Sequence, residues 1–219
     1  MNKISDMIDR FIPDLVRVPS KALGSVLDLL KKLVNPETSD DTLLKLKALL
    51  KGKVEIVKDS LLDFVGTTTT SATTEKFVAK DFFTTDNKEV KIYNIYSNFT
   101  NWFLADDGKI ENPIKEQVLR YGNLTKGSID RSIIEELGGE AKVDTTLQEL
   151  ADQIKKHANG EENGLLTSGY SNIFYIKDTE GVLRAVRVYW LDAGWYVRAF
   201  SVEDSAGWGA GRRVFVRNS

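Results

Sequence analysis

Asn172-Ile-Phe-Tyr-Ile-Lys177, Val182-Leu-Arg-Ala-Val-Arg-Val-Tyr-Trp-Leu191, Trp195-Tyr-Val-Arg-Ala-Phe-Ser-Val202 and Arg212-Arg-Val-Phe-Val-Arg217 are four short runs rich in β-branched and aromatic residues. Turn-forming segments separate them. Asp178-Thr-Glu-Gly181 and Asp192-Ala-Gly194 each place Asp ahead of Gly. Asp bonds nearby backbone amides, and Gly accepts the positive φ of a tight hairpin. The third connection, Glu203-Asp-Ser-Ala-Gly-Trp-Gly-Ala-Gly211, is longer and glycine-rich. The pattern predicts an antiparallel meander.

Alternation sorts two faces within these strands. Val182, Arg184, Val186, Val188 and Trp190 share one side of the second run; Leu183, Ala185, Arg187, Tyr189 and Leu191 share the other. In the third run Tyr196, Arg198 and Phe200 oppose Trp195, Val197 and Ala199. The Val/Trp/Ala faces read as core and the Arg/Tyr/Phe faces as half-exposed. The register stays open, because a two-residue and a three-residue turn at Asp192–Gly194 bring different pairs opposite.

Upstream, residues 1–66 read as helical. Ser20 caps a predicted helix over Lys21–Val34, and Ser39 or Asp40 caps a longer one over Asp41–Val65 that Gly66 ends. Their apolar residues recur every three or four positions, which suggests an αα-hairpin that packs on the rest of the chain or on copies of itself. Thr67–Thr74 reads as a Thr-rich linker, with an extended edge segment as the competing reading. Residues 75–219 then read as an α+β domain. Two strands are expected over Glu75–Phe83 and Glu89–Tyr96. Three helices follow: one capped by Asn112 and ended by Gly122, one over Ile129–Leu137 capped by Ser128, and one ending near Ala158. The last is expected to be capped by Asp144 or Thr145, and Thr145 with Gln148, or Thr146 with Glu149, fits a capping box. The expected fold is therefore α+β: an N-terminal helical hairpin, then an antiparallel sheet ending in a C-terminal β-meander.

Composition bounds the chemistry. The chain has 219 residues, 42% of them hydrophobic and 28% charged, with a formal net charge of -2. No global basic field draws it to nucleic acid. The absence of Cys excludes disulfides, thiol catalysis and Cys-ligated metals. A single histidine, His157, excludes a multi-His cluster within one chain. No apolar run approaches the roughly 20 residues that span a bilayer, and Met1–Arg10 carries acids where a secretion signal would be apolar. These features predict a cytoplasmic location.

Most motif-like stretches read as structure. Asp106-Asp107-Gly108 is a turn, since the acidic ligands of a calcium loop do not follow at the required spacing. Gly207-Trp-Gly-Ala-Gly211 lacks both the spacing and the following helix of a phosphate cradle. The pairs Glu135-Glu136, Glu161-Glu162 and Glu203-Asp204 read as solvated acids. His157, after Lys155-Lys156, suits a helix C-terminus. No cofactor or metal is implied.

One constellation remains. Arg187, Tyr189, Tyr196, Arg198, Phe200, Arg213, Phe215 and Arg217 alternate along the strands, with Trp208 in the loop between them. Guanidinium groups pair anions, and rings stack on bases or sugars. Arg stems also simply cover aromatics. The sequence thus suggests a non-enzymatic interaction or assembly protein, with helices for docking on a protein partner or self-association and a β-meander for recognition. The alternatives are a weak single-stranded nucleic-acid binder using the Arg/aromatic face, and an enzyme without a recognisable motif.

Overall fold

The computed structural model describes residues 60–161, 164–192 and 194–218. The expected helical hairpin lies outside the described residues, apart from the end of its second helix. Ser60–Ser219 forms one compact unit.

That unit is mainly sheet, which corrects the α+β expectation. In chain order it runs β1 (Leu62–Thr70), β2 (Phe77–Val78), α1 (Ala79–Phe82), β3 (Ile92–Ile95) and α2 (Ser97–Phe99), which continues into a π-helical turn over Thr100–Leu104. There follow β4 (Ile110–Glu111), β5 (Gln117–Leu124), α3 (Asp130–Glu136), α4 (Glu140–Val143), β6 (Asp144–Thr145) and α5 (Leu147–Lys156). The last four elements are β7 (Asn172–Lys177), β8 (Leu183–Leu191), β9 (Gly194–Ser201) and β10 (Arg213–Arg217). Eight strands make one sheet in the order β1-β5-β10-β7-β8-β9-β3, and β6 joins β7 beyond the end of β10. The sheet is mixed, not antiparallel throughout: β10 and β6 run parallel to β7, and β3 runs parallel to β9.

Two local readings gave way to long-range pairing. The helix expected from Asn112 to Gly122 is instead the inner strand β5, held by β1 on one side and β10 on the other. Gly122 is not a helix stop. A Cβ there would lie 2.9 Å from the carbonyl oxygen of Asp63, so the glycine lets two backbones close up. Likewise, the helix expected to run to Val65 yields to β1 from Leu62 onward, with a bulge between Phe64 and Gly66. The threonines from Thr67 to Thr70 pair with β5 as an edge strand, in keeping with their β-branched side chains. Of the strand expected over Glu75–Phe83 only Phe77–Val78 is extended, because Ala79–Phe82 turns helical to bury Phe82 and Phe83.

Other signals hold. The meander forms with three strands, β7-β8-β9, while the fourth run, β10, leaves it to lie parallel to β7. Leu191 faces Gly194, which selects the shorter turn and brings Arg187 opposite Arg198 and Tyr189 opposite Tyr196. α5 begins at a capping box: the Thr146 side chain accepts from the Glu149 amide, and the Glu149 carboxylate accepts from the Thr146 amide. The Glu111 carboxylate adds bonds from the Leu147 and Gln148 amides, satisfying donors that a helix start leaves free.

The core lies on both sides of the sheet. One side packs Phe174, Val186, Val188, Trp195, Val197 and Phe215 against α5, α1 and α2. The other packs Ile173, Tyr175, Ala185, Val214 and Val216 against Ile133, Ile134, Leu137 and Val143 of α3, α4 and the turn between them. Among the described residues no helix is long and apolar enough to cross a membrane.

Candidate ligand-binding cleft

On the second side of the sheet the helical cover ends before the β8–β9 hairpin does. Ala185 and Phe200 still meet the α3 side of the core. The next pair along that face, Arg187 and Arg198, is only half-buried. Two like charges directly opposite in a ladder repel. The loop after β9 then brings a third guanidinium, Arg212, to the same place. The three arginines line a cleft of about 210 Å³ with Phe200, Trp208, Asp130 and Asp204.

Sequence and packing explain how each is held. The Arg187 guanidinium lies 4.2 Å from the Tyr189 ring centre. That of Arg198 sits between Phe200 at 4.5 Å and Tyr96 at 5.2 Å. Aromatic rings thus hold the guanidinium groups of both arginines. Arg212 folds back over Gly209, where any Cβ would collide with its Nη1. Trp208 is buried, its indole N–H donating to Asp130 Oδ1 at 2.7 Å, and its backbone pairs with Ser128. The Tyr175 hydroxyl donates to the same Asp130 oxygen at 2.7 Å. The glycine-rich loop is therefore pinned to α3, and it fixes the wall of the cleft.

The electrostatics are unbalanced. Arg131, Arg184 and Arg217 have carboxylate partners in Glu203, Asp178 and Glu149. Among the described residues, Arg187, Arg198 and Arg212 have none. Nε of Arg187 is buried without a hydrogen-bond partner. Burial pulls the Arg187 guanidinium below its ordinary value, and the charges of Arg212 and Arg198 act in the same direction. Burial also raises the Asp130 carboxyl against its two hydrogen bonds, with the Asp204 charge adding to the rise. Asp130 is committed to Trp208 and Tyr175 and forms no ion pair with the arginines.

Beside the cleft runs a ladder of tyrosines. Tyr189 stacks on Tyr196 with ring centres 4.9 Å apart and planes 14° apart, and Tyr93 lies 5.1 Å beyond Tyr196 with its plane tilted by 43°. The hydroxyls of Tyr96 and Tyr189 share a hydrogen bond of 3.1 Å. Burial, followed by Tyr96, pushes the Tyr189 phenol up to about 12, so it is a neutral hydroxyl at physiological pH. Tyr93, at the end of the ladder, is 56% exposed.

The structure divides the residues that the sequence grouped. Arg187, Tyr189, Tyr196, Arg198, Phe200 and Trp208 come together on one side of the sheet. Arg213, Phe215 and Arg217 face the other. Phe215 is buried and stacked on Phe174. Arg213 lies over Tyr121 and bonds Asn123 and the Gly164 carbonyl. Arg217 is paired with buried Glu149. Sequence reading missed Arg212, Tyr93, Tyr96 and Asp130. Arg212 adjoins Arg213 and so takes the opposite side of the chain, a signal that was legible. The two tyrosines join only through the parallel β3–β9 pairing, which leaves no local mark. His157 proves to be buried: its Nε2 accepts from the Leu165 amide, so Nδ1 donates to the Gln153 carbonyl. Among the described residues no group of three or more acids and histidines converges to hold a metal ion.

Comparison with known families, curated proteins and solved structures finds no match to this chain.

Proposed function

We propose that the protein is a non-enzymatic recognition protein whose β8–β9 hairpin binds a compact, multi-oxygen anion between Arg187, Arg198 and Arg212. The observation that carries this reading is the unneutralised cluster itself. Two arginines sit directly opposite each other in a sheet and a third closes on them; Asp130 and Asp204 also line the cleft, but among the described residues no carboxylate forms an ion pair with any of the three. Such an arrangement costs folding free energy unless an anion completes it. Phosphate-like oxygens suit it, because each guanidinium offers a fork of donors with fixed geometry.

The surrounding charge sharpens the class of ligand. Residues 60–219 contain 19 Lys and Arg against 23 Asp and Glu. That net negative charge offers no overall attraction to a long polyanion, whereas a small anion needs only the cleft. The test is thermal unfolding of the full chain in phosphate and in chloride at matched ionic strength. Phosphate is expected to raise Tm in a concentration-dependent way, and Arg198→Gln to abolish that rise. Equal Tm in both salts, or an undiminished rise in the variant, would overturn the reading.

A further inference from the structure

The anion-binding reading says nothing of the rest of the ligand, and the tyrosines beside the cleft do. Resting on that reading, we infer that the ligand is of the nucleotide class, with its phosphate among the arginines and its base stacked on the ladder at Tyr93. Arg198 and Tyr196 stand two residues apart on one face of β9, about 7 Å along the strand. Tyr93 lies one strand further out, with its ring against that of Tyr196. That offset suits a nucleotide, whose base and phosphate are held apart by one sugar.

The ladder is also built to be extended. Tyr189, Tyr196 and Tyr93 follow one another at ring-centre separations of 4.9 and 5.1 Å, the spacing of aromatic pairs. Three rungs are occupied by protein. The outer side of Tyr93 meets no ring of the described residues, and this is the most exposed aromatic among them. A flat heterocycle there would be the next rung. A sugar alone would find less, because the groups flanking the ladder are guanidiniums and phenols, whose faces favour stacking over a hydroxyl network.

Isothermal titration of the full chain with adenosine monophosphate, ribose 5-phosphate and inorganic phosphate tests this. Adenosine monophosphate is expected to bind at least roughly tenfold more tightly than ribose 5-phosphate, the contribution of one base–aromatic stack. Tyr93→Ala, at an exposed position, should bring the nucleotide down to the ribose 5-phosphate affinity while inorganic phosphate binds as before. If phosphate binds but the nucleotide gains nothing over ribose 5-phosphate, or if Tyr93→Ala binds the nucleotide like wild type, the nucleotide inference is wrong and the anion site stands. If phosphate does not bind at all, both fall. A 5′-phosphorylated tetranucleotide separates the two sources. Affinity equal to the mononucleotide supports a free nucleotide, and tighter binding supports the phosphorylated end of a strand. A tetranucleotide lacking that phosphate but binding equally well overturns the placement of phosphate in the cleft.

Discussion

Arginine is used in this molecule in two opposite ways, and the difference can be measured one residue at a time. Arg217 answers a buried acid, donating to both oxygens of Glu149 at 2.8 and 3.1 Å. Removing it leaves a carboxylate buried with only its cap bonds, so Arg217→Met is expected to cost about 3 kcal/mol in urea unfolding. Arg187 has no carboxylate partner among the described residues and faces Arg198. Arg187→Met is therefore expected to leave stability unchanged or raise it by up to about 1 kcal/mol, while removing the response to phosphate. Equal losses from the two variants would refute the distinction. Asp130 supplies a second test. Burial holds its carboxyl above the ordinary 3.8, so the folded state binds this proton more tightly than the unfolded chain does. Its favourable contribution is complete below 3.8 and is lost as pH rises through the folded-state value. Asp130→Asn keeps an acceptor for Trp208 and Tyr175 without the charge. Its stability relative to wild type should be greatest near pH 7 and should converge with it in acid, read from unfolding midpoints across pH.

The elements show which signals survive folding. The Asp–Gly turns and the alternation in β8 and β9 were legible, because a hairpin's partners are adjacent in sequence and its turn residues are dictated by backbone geometry. The capping box of α5 was legible only as one of two alternatives, and the N-cap falls at Thr146, one or two residues beyond the expected Asp144 or Thr145. β5 was not: Pro113 and Gly122 imitate helix punctuation, and only the strands on either side, drawn from residues 62–70 and 213–217, make the stretch extended. The parallel pairing of β3 with β9 was equally silent, yet it sets Tyr93 beside Tyr196. That junction depends on Gly194. Its φ is 141°, and a Cβ would collide with the Lys91 carbonyl oxygen, which accepts from the Trp195 amide at 2.7 Å. Gly194→Ala is thus expected to cost about 2 kcal/mol and to weaken nucleotide binding while phosphate binding persists. Guanidinium chloride unfolding and titration of the variant check the two halves separately, and undiminished nucleotide affinity would show that the β3 edge does not position the ladder.

At the scale of the whole molecule the question is where the folding unit starts. The Thr-rich stretch suggests a boundary at 67–74, but residues 60–74 are bonded into the unit at several points. The Glu136 carboxylate accepts from the Ser60 hydroxyl and from the Leu61 and Leu62 amides. The Gln153 side chain meets the hydroxyls of Thr68 and Thr70, and that of Gln148 meets Thr73. Leu62 and Thr70 are themselves buried, and β1 covers one edge of β5 along its length. A chain starting at Glu75 would strip that edge and leave Gln153, fully buried, without two of its partners. Each unsatisfied buried group costs about 1–3 kcal/mol, and a bared inner strand invites pairing with other copies. Residues 75–219 are therefore expected to lose at least about 3 kcal/mol relative to residues 60–219 and to associate on size-exclusion with light scattering. The longer fragment should unfold in one cooperative transition and keep its response to phosphate. Were the two fragments equally stable and equally monomeric, β1 would be an ornament on the sheet, and the arginine cleft would owe nothing to the chain before Glu75.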